Sequence, residues 1–283
     1  MSGLIRKISF QGEPGAYSHQ ACHAAMPDHQ ALPCATFEDT VQALRDGDVD
    51  LAMLPVENST YGRVADIHHL LPESGLHIVA EAFVRVRICL MALPGVALDQ
   101  IRRVRAHQVL LPQARQFLRG HGIAGESAVD SAGAAADLAV SGDRNSGVLA
   151  SELAAEIYGL EVLARDIEDH THNTTRFLIM AREPDYSRRG ELMMTTFVFR
   201  VRNIPAALYK AMGGFATNGV NMVKLESYMV DGSFTATQFY ADIEGHPDDP
   251  AVQRALEELT YFTTHLSILG VYAADTAARN AKN

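Results

Sequence analysis

Along the first third of the chain, polar and apolar positions switch between two periods. In IRKISF, Ile5, Ile8 and Phe10 fall in a strand-like alternation. Gly12, Pro14 and Gly15 then suit a tight turn into the helical stretch AYSHQACHAAM, with Ser18 placed to cap it. TFEDTVQALRDG carries a capping box at Thr36 and Asp39, Val41 and Leu44 on one helical face, and Gly47 as a stop. The apolar run LAMLPV, Leu51 to Val56, predicts a buried strand. Glu57, Asn58 and Ser59 therefore sit at a strand's carboxyl end, where open α/β sheets bind ligands.

Residues 76–93 continue as strand, with Arg85 and Arg87 on one alternating face, and suit a crossover between lobes. Strand and helix signals then recur: a strand and helix in IRRVRAHQVLLPQARQFLRGHG, an alanine-rich helix with Ser131 near its start, and a helix from Ser151 followed by a strand through Val162. FLIMA, after HNTTR, is a second buried strand. Repetition of β then α predicts mainly parallel sheets with helices on their faces.

REPDYSRRGE breaks the pattern with Pro, Gly and charges and marks a domain boundary. Beyond it, LMMTTFVFRV is a strand, and Pro205 starts a helix with Leu208, Ala211, Met212 and Phe215 on one face, stopped at Asn218-Gly219. VNMVKLESYMV and FTATQFYADIE are strands joined through Asp231-Gly232. DDPAVQRALEEL is a helix with Val252, Ala255, Leu256 and Leu259 inward, and HLSILGVY closes as a strand. The order βαββαβ in roughly 80 residues is a ferredoxin-like unit, and the polar tail ADTAARNAKN is expected to fray.

Composition narrows the function. With 283 residues, 47% of them hydrophobic, the chain can bury two cores. A formal charge of -10 without a basic stripe argues against nucleic acid, so anions must be held by individual arginines or backbone N–H groups. No run approaches the roughly 20 apolar residues of a membrane span, and the N-terminus lacks a signal-peptide pattern, so a cytoplasmic protein is expected. Cys22, Cys34 and Cys89 lack CxxC spacing and read as small buried residues. His170 and His172 have no partner at ligand spacing, so no metal is expected.

Four stretches in order, GEPGAYSHQA, PVENSTYG, ASELAAEIYGL and NTTRF, followed by the βαββαβ unit, resemble the prephenate dehydratase family. The resemblance implies a two-lobed catalytic domain like a periplasmic ligand-binding protein over residues 1–186, with the site in the cleft. It also implies an ACT regulatory domain over 192–275. The implied reaction converts prephenate to phenylpyruvate, water and carbon dioxide without a cofactor. Thr175 matches the catalytic threonine, its hydroxyl serving the leaving oxygen, while Thr174 falls at a variable position. Arg176 would hold a carboxylate or tie the lobes together. Asn58, with Glu57 and Ser59, matches the substrate-site motif, and Asn173 belongs to the threonine motif. The backbone amides of Ala16, Tyr17 and Ser18 would meet a second carboxylate at a helix start. Phe177 lines the substrate or anchors the core.

Departures from the family pattern keep alternatives open. Ala16 replaces a common threonine, as in many arogenate dehydratases, which leaves arogenate as an alternative substrate. A non-catalytic amino-acid sensor is the reading from another class. AHQVLLPQA retains only His107 and Gln113 of a family stretch. The implied effector is L-phenylalanine, bound between paired ACT domains of a homodimer or homotetramer near Asn203, Ala206, Ala207, Leu208, Glu226 and Ser227. There Ala206 stands for glycine, and Tyr228 and Met229 for Arg-Pro.

Overall fold

The computed structural model describes residues 5–170, 172–187, 189–229 and 236–280. Its contacts divide the chain into two compact units, one running up to Val64 and including Phe83–Phe177, the other comprising Ala65–Ala82 and the chain from Leu178. In chain order the elements begin β1 (Lys7–Gln11), α1 (Tyr17–Ala25), β2 (Gln30–Cys34), α2 (Phe37–Asp46), β3 (Leu51–Asn58), β4 (Gly62–Arg63), α3 (Ala65–Glu73) and β5 (His77–Arg85). They continue with β6 (Cys89–Ala92), β7 (Arg103–His107), α4 (Arg115–Gly120), β8 (Ala124–Ala128), α5 (Ser131–Ser141), β9 (Ser146–Ala150), α6 (Glu152–Tyr158) and β10 (Glu161–Ala164). The last are β11 (Thr174–Ala181), β12 (Met193–Val201), α7 (Ala207–Thr217), β13 (Met222–Met229), β14 (Ala236–Glu244), α8 (Pro250–Phe262), β15 (Thr263–Ala273) and α9 (Thr276–Asn280).

The first unit is two α/β lobes. In one, β11, β3, β1 and β2 lie side by side, with β1 parallel to both β2 and β3. The other is a sheet in the order β10, β6, β9, β7, β8, parallel around β7 and antiparallel at β6. Its central strand β9 is buried at every residue because both faces are covered. Leu149 packs with Leu90, Val104 and Ala106 on one side, while Val148 and Ala150 meet Ala135, Leu138 and Ala154 of α5 and α6 on the other. The chain crosses between lobes twice, from Arg85 to Cys89 and from Ala164 to Thr174.

In the second unit, β12, α7, β13, β14, α8 and β15 form the βαββαβ arrangement, with strand order β13, β14, β12, β15 and antiparallel neighbours. Phe197, Phe199 and Phe239 of the sheet pack against Ala211 and Phe215 of α7 and Ala255 and Leu259 of α8. The order in which the strands sit is that of a ferredoxin-like fold, as the sequence pattern predicts.

Four local expectations change. Ser18 does not cap α1: Ala16 occupies that position with no side-chain bond, and Ser18 lies buried within the first turn. Residues 76–93 are two strands, β5 and β6, with the crossover between them. Pro205 does not start α7, because the turn before it places Ala206 at φ 59 in the left-handed region, and regular helix begins at Ala207. The tail does not fray at once: α9 forms, and Arg279 donates at 2.7 Å to each oxygen of Glu81, a buried carboxylate on β5 that also accepts from the Asp275 N–H. That partner lies 198 residues away, which no local polarity pattern discloses. Asp231-Gly232 lies outside the described residues.

Ala206 carries a testable cost. A left-handed alanine is strained by about 1–2 kcal/mol, and glycine's greater freedom in the unfolded chain returns only part of that. Ala206→Gly is therefore expected to stabilise the protein by about 0.5–1 kcal/mol. The urea midpoint of unfolding reads it, and a lowered midpoint would contradict the strain argument.

Candidate active site

β3 and β11 bring the two sequence motifs together. The Asn58 amide nitrogen donates to Asn173 Oδ1 at 2.6 Å and to Thr175 Oγ1 at 3.0 Å. Its oxygen accepts from the N–H groups of Thr60 and Tyr61 at 2.9 and 3.0 Å, which closes the turn into β4. Every strong capacity of this amide is committed, so its orientation is fixed. Asn173, itself buried, donates to Gln113 Oε1, and Gln113 donates to the Val109 carbonyl at 2.8 Å. Gln113 comes from the other lobe, in the turn Leu111–Ala114 that precedes α4. Thr175 Oγ1 thus accepts from Asn58, which leaves its own hydrogen to point elsewhere.

A second layer steadies this row. Ser59 N–H donates to the Thr174 carbonyl at 2.8 Å, Thr174 N–H donates to Ser59 Oγ at 2.9 Å, and Ser59 Oγ donates to the His172 carbonyl at 2.8 Å. Ser59 therefore splices two motifs, and Thr174 takes part through its backbone. Arg176, almost wholly buried, donates from Nη1 to Glu57 Oε1 at 3.0 Å, which spends part of its fork inside the protein. Phe177 is 1% exposed and is a core side chain.

The start of α1 shapes a separate part of the same unit. A cavity of about 240 Å³ is lined by Gly15, Ala16, Tyr17, Ser18, His107, Leu110, Asp130, Ser131 and Ser151, among others, but not by Thr175 or Asn58. Ala16 supplies no side-chain cap to the first N–H groups of α1. Gly15 is required here: at φ 93 an added Cβ would stand 2.7 Å from the Ala154 Cα of α6. The Tyr17 hydroxyl donates to the Arg87 carbonyl in the crossover at 2.8 Å, and burial pushes its pKa up. Tyr17 is thus a joint between lobe and crossover. His107 also lines the cavity, with its Nδ1 accepting from Val109 N–H at 3.3 Å.

In the second unit, Ala207 and the partly buried Leu208 face the core of α7, while Asn203 and Ala206 are exposed. Glu226 and Ser227 lie on β13, and Tyr228 beside them meets His69 of α3 edge to face at 5.8 Å. Sequence reasoning missed Gln113 as a bonded member of the cluster. Its signal was its survival beside His107 in a stretch otherwise divergent from the family.

The cluster is a row of neutral amides that fixes one alcohol, next to an arginine paired with a carboxylate, set in an α/β fold. Among the described residues, no three His, Cys, Asp or Glu side chains gather as a metal site, and no helix is long and apolar enough to cross a membrane. The family model of prephenate dehydratase matches residues 8–185. A bifunctional N-acyl-homoserine lactone acylase/prephenate dehydratase of Komagataeibacter europaeus is 52% identical over 97% of this chain and 98% of its own. Arogenate dehydratase/prephenate dehydratase 2 of Arabidopsis thaliana is 38% identical over 97% of this chain and 74% of its own. The crystal structure of a prephenate dehydratase from Arthrobacter aurescens in complex with L-Phe superposes with a TM-score of 0.87 at 29% identity, covering 95% of this chain and 90% of that one. The chain belongs to the prephenate dehydratase family.

Proposed function

We propose that this chain converts prephenate to phenylpyruvate, and that residues 1–186 carry the reaction while residues 192–275 act as an ACT regulatory domain. The observation that carries the reading is the Asn58 bond to Thr175 Oγ1. It leaves the Thr175 O–H to be donated to the ring hydroxyl as the C–O bond breaks. The bond to the ring carboxylate breaks in the same event, its electron pair enters the ring, and carbon dioxide leaves with hydroxide, which Thr175 hydrogen-bonds and a proton from solvent converts to water. Aromatisation drives the step. A threonine does not titrate near neutrality, so fixed placement and exclusion of water supply the rate. Arg176 and Glu57 hold the strand ends that carry Thr175 and Asn58 in register.

The name of the Komagataeibacter relative raises acyl transfer as a second activity, which needs an activated nucleophile. Two of the three cavity serines are engaged by the backbone: Ser151 donates to the Gly15 carbonyl and accepts from Ala154 N–H, and Ser131 accepts from His107 N–H. Burial pushes the Cys22 and Cys89 thiols up to about 12 and about 11. These features favour the dehydratase reading over hydrolysis.

Supplying purified protein with prephenate and with arogenate separately tests it, with phenylpyruvate and phenylalanine as the respective products. Phenylpyruvate formation is expected, and turnover of arogenate alone would reject prephenate as a substrate. L-phenylalanine is expected to reduce the rate and stabilise a dimer or tetramer. No change in rate or size at saturating phenylalanine would reject that regulation.

A further inference from the structure

Tyr61 stands in the turn between β3 and β4 with 48% of its surface exposed, so core packing is not its role. Both its ends are engaged. Its backbone N–H donates to Asn58 Oδ1 at 3.0 Å, which helps fix the amide that donates to Thr175. Its hydroxyl donates to the Val109 carbonyl at 3.4 Å. Val109 belongs to the other lobe, in the loop between β7 and the turn Leu111–Ala114, and the same carbonyl accepts from Gln113 at 2.8 Å. Gln113 accepts from Asn173, and Asn173 accepts from Asn58. Tyr61, Val109, Gln113, Asn173 and Asn58 are thus joined in a closed circuit of hydrogen bonds that spans both lobes and carries Thr175 at one corner.

The links of the circuit are unequal. The bond from Asn173 to Gln113 is buried, whereas the one from Tyr61 to Val109 is exposed and long for an O–H donor. Water competes for both of its groups, so this is the link that opens first. We propose that Tyr61 is a positioning residue: its hydroxyl closes the circuit, and the closed circuit holds Asn58 and Gln113 in the arrangement that receives substrate. With the link open, the turn and the loop move independently, and apparent affinity falls with the fraction of molecules left competent. The hydroxyl is spent on a carbonyl of the protein and takes no part in breaking the C–O bond. Substrate that has bound therefore reacts at the usual rate. For its kinetics this assignment rests on the dehydratase reading.

Tyr61→Phe removes the hydroxyl and keeps the ring, and Tyr61→Ala removes both; at a half-exposed position each is expected to fold. In Tyr61→Phe, KM for prephenate is expected to rise by about 2- to 10-fold, the reach of one neutral hydrogen bond, while kcat changes less than about twofold. Amide hydrogen exchange over residues 107–114 of the unliganded full-length protein, followed by mass spectrometry, is expected to quicken by a similar factor. Tyr61→Ala should match Tyr61→Phe in both measurements, and an effect confined to alanine would assign Tyr61 to ring packing and overturn the proposal. Exchange unchanged in Tyr61→Phe overturns it directly. Faster exchange with KM unmoved makes the bond structural alone, and a fall in kcat at constant KM places Tyr61 in the chemical step; either result also overturns it. A wild type inert to prephenate rejects the dehydratase reading, while faster exchange in Tyr61→Phe would still uphold the circuit.

Discussion

Thr175→Ala is expected to lower kcat for prephenate by about 10²–10⁴-fold, the usual loss when a donor to a leaving group is removed. The bond from the threonine O–H to the departing oxygen strengthens only as the C–O bond breaks. kcat and kcat/KM should therefore fall together, with KM little changed. Folding should survive, because Thr175 is only partly buried and Asn58 keeps Asn173 Oδ1 as an acceptor for its amide nitrogen. Loss of one neutral hydrogen bond costs about 1 kcal/mol. Thr175→Ser separates hydroxyl chemistry from shape: it should retain most of the rate, whereas the near-isosteric Thr175→Val should be as slow as alanine. A sensor without catalysis would show no rate to lose, and an unchanged rate in Thr175→Ala would take Thr175 out of the mechanism. Steady-state kinetics with a melting curve for each variant reads all of these outcomes.

The strands that carry Asn58 and Thr175 were legible because the two faces of an α/β sheet leave near-continuous apolar runs. LAMLPV and FLIMA announce β3 and β11, and polar residues at their ends stand out against them. The pairing of those strands was not legible from pattern alone. Asn58 and Thr175 are 117 residues apart, and only the family motifs linked them before their hydrogen bond was seen. Gln113 marks the limit. Its neighbours had drifted, and its value lies in a bond to a buried amide on another lobe. Ala206 failed in the other direction, because alanine and Pro205 together read as a helix start while the backbone needed a left-handed residue. Glu81 and Arg279 show the same limit over a longer span, since each looks like an ordinary charged residue until a buried partner is in view.

The ion pair behind the site should reveal its role through an asymmetry. Arg176 is 4% exposed in its side chain and Glu57 is 31% exposed. Removing the carboxylate with Glu57→Ala takes an acceptor at 3.0 Å from a guanidinium that is almost wholly buried. Removing one partner of a buried charge-assisted hydrogen bond in this way costs about 1.5–3 kcal/mol. Arg176→Met instead removes the buried charge and fills its space with an apolar chain, while the remaining carboxylate is open enough for water to solvate. The expected loss is smaller, about 0.5–1.5 kcal/mol. Glu57→Ala is also expected to slow turnover, because the bond from Arg176 on β11 to Glu57 on β3 lies beside the one from Asn58 to Thr175. Denaturant midpoints for both single variants and the double variant give the coupling between the two side chains. A greater loss in Arg176→Met than in Glu57→Ala would mean that the guanidinium is anchored mainly by other groups, and that its pairing with Glu57 is not what holds β3 and β11 in register.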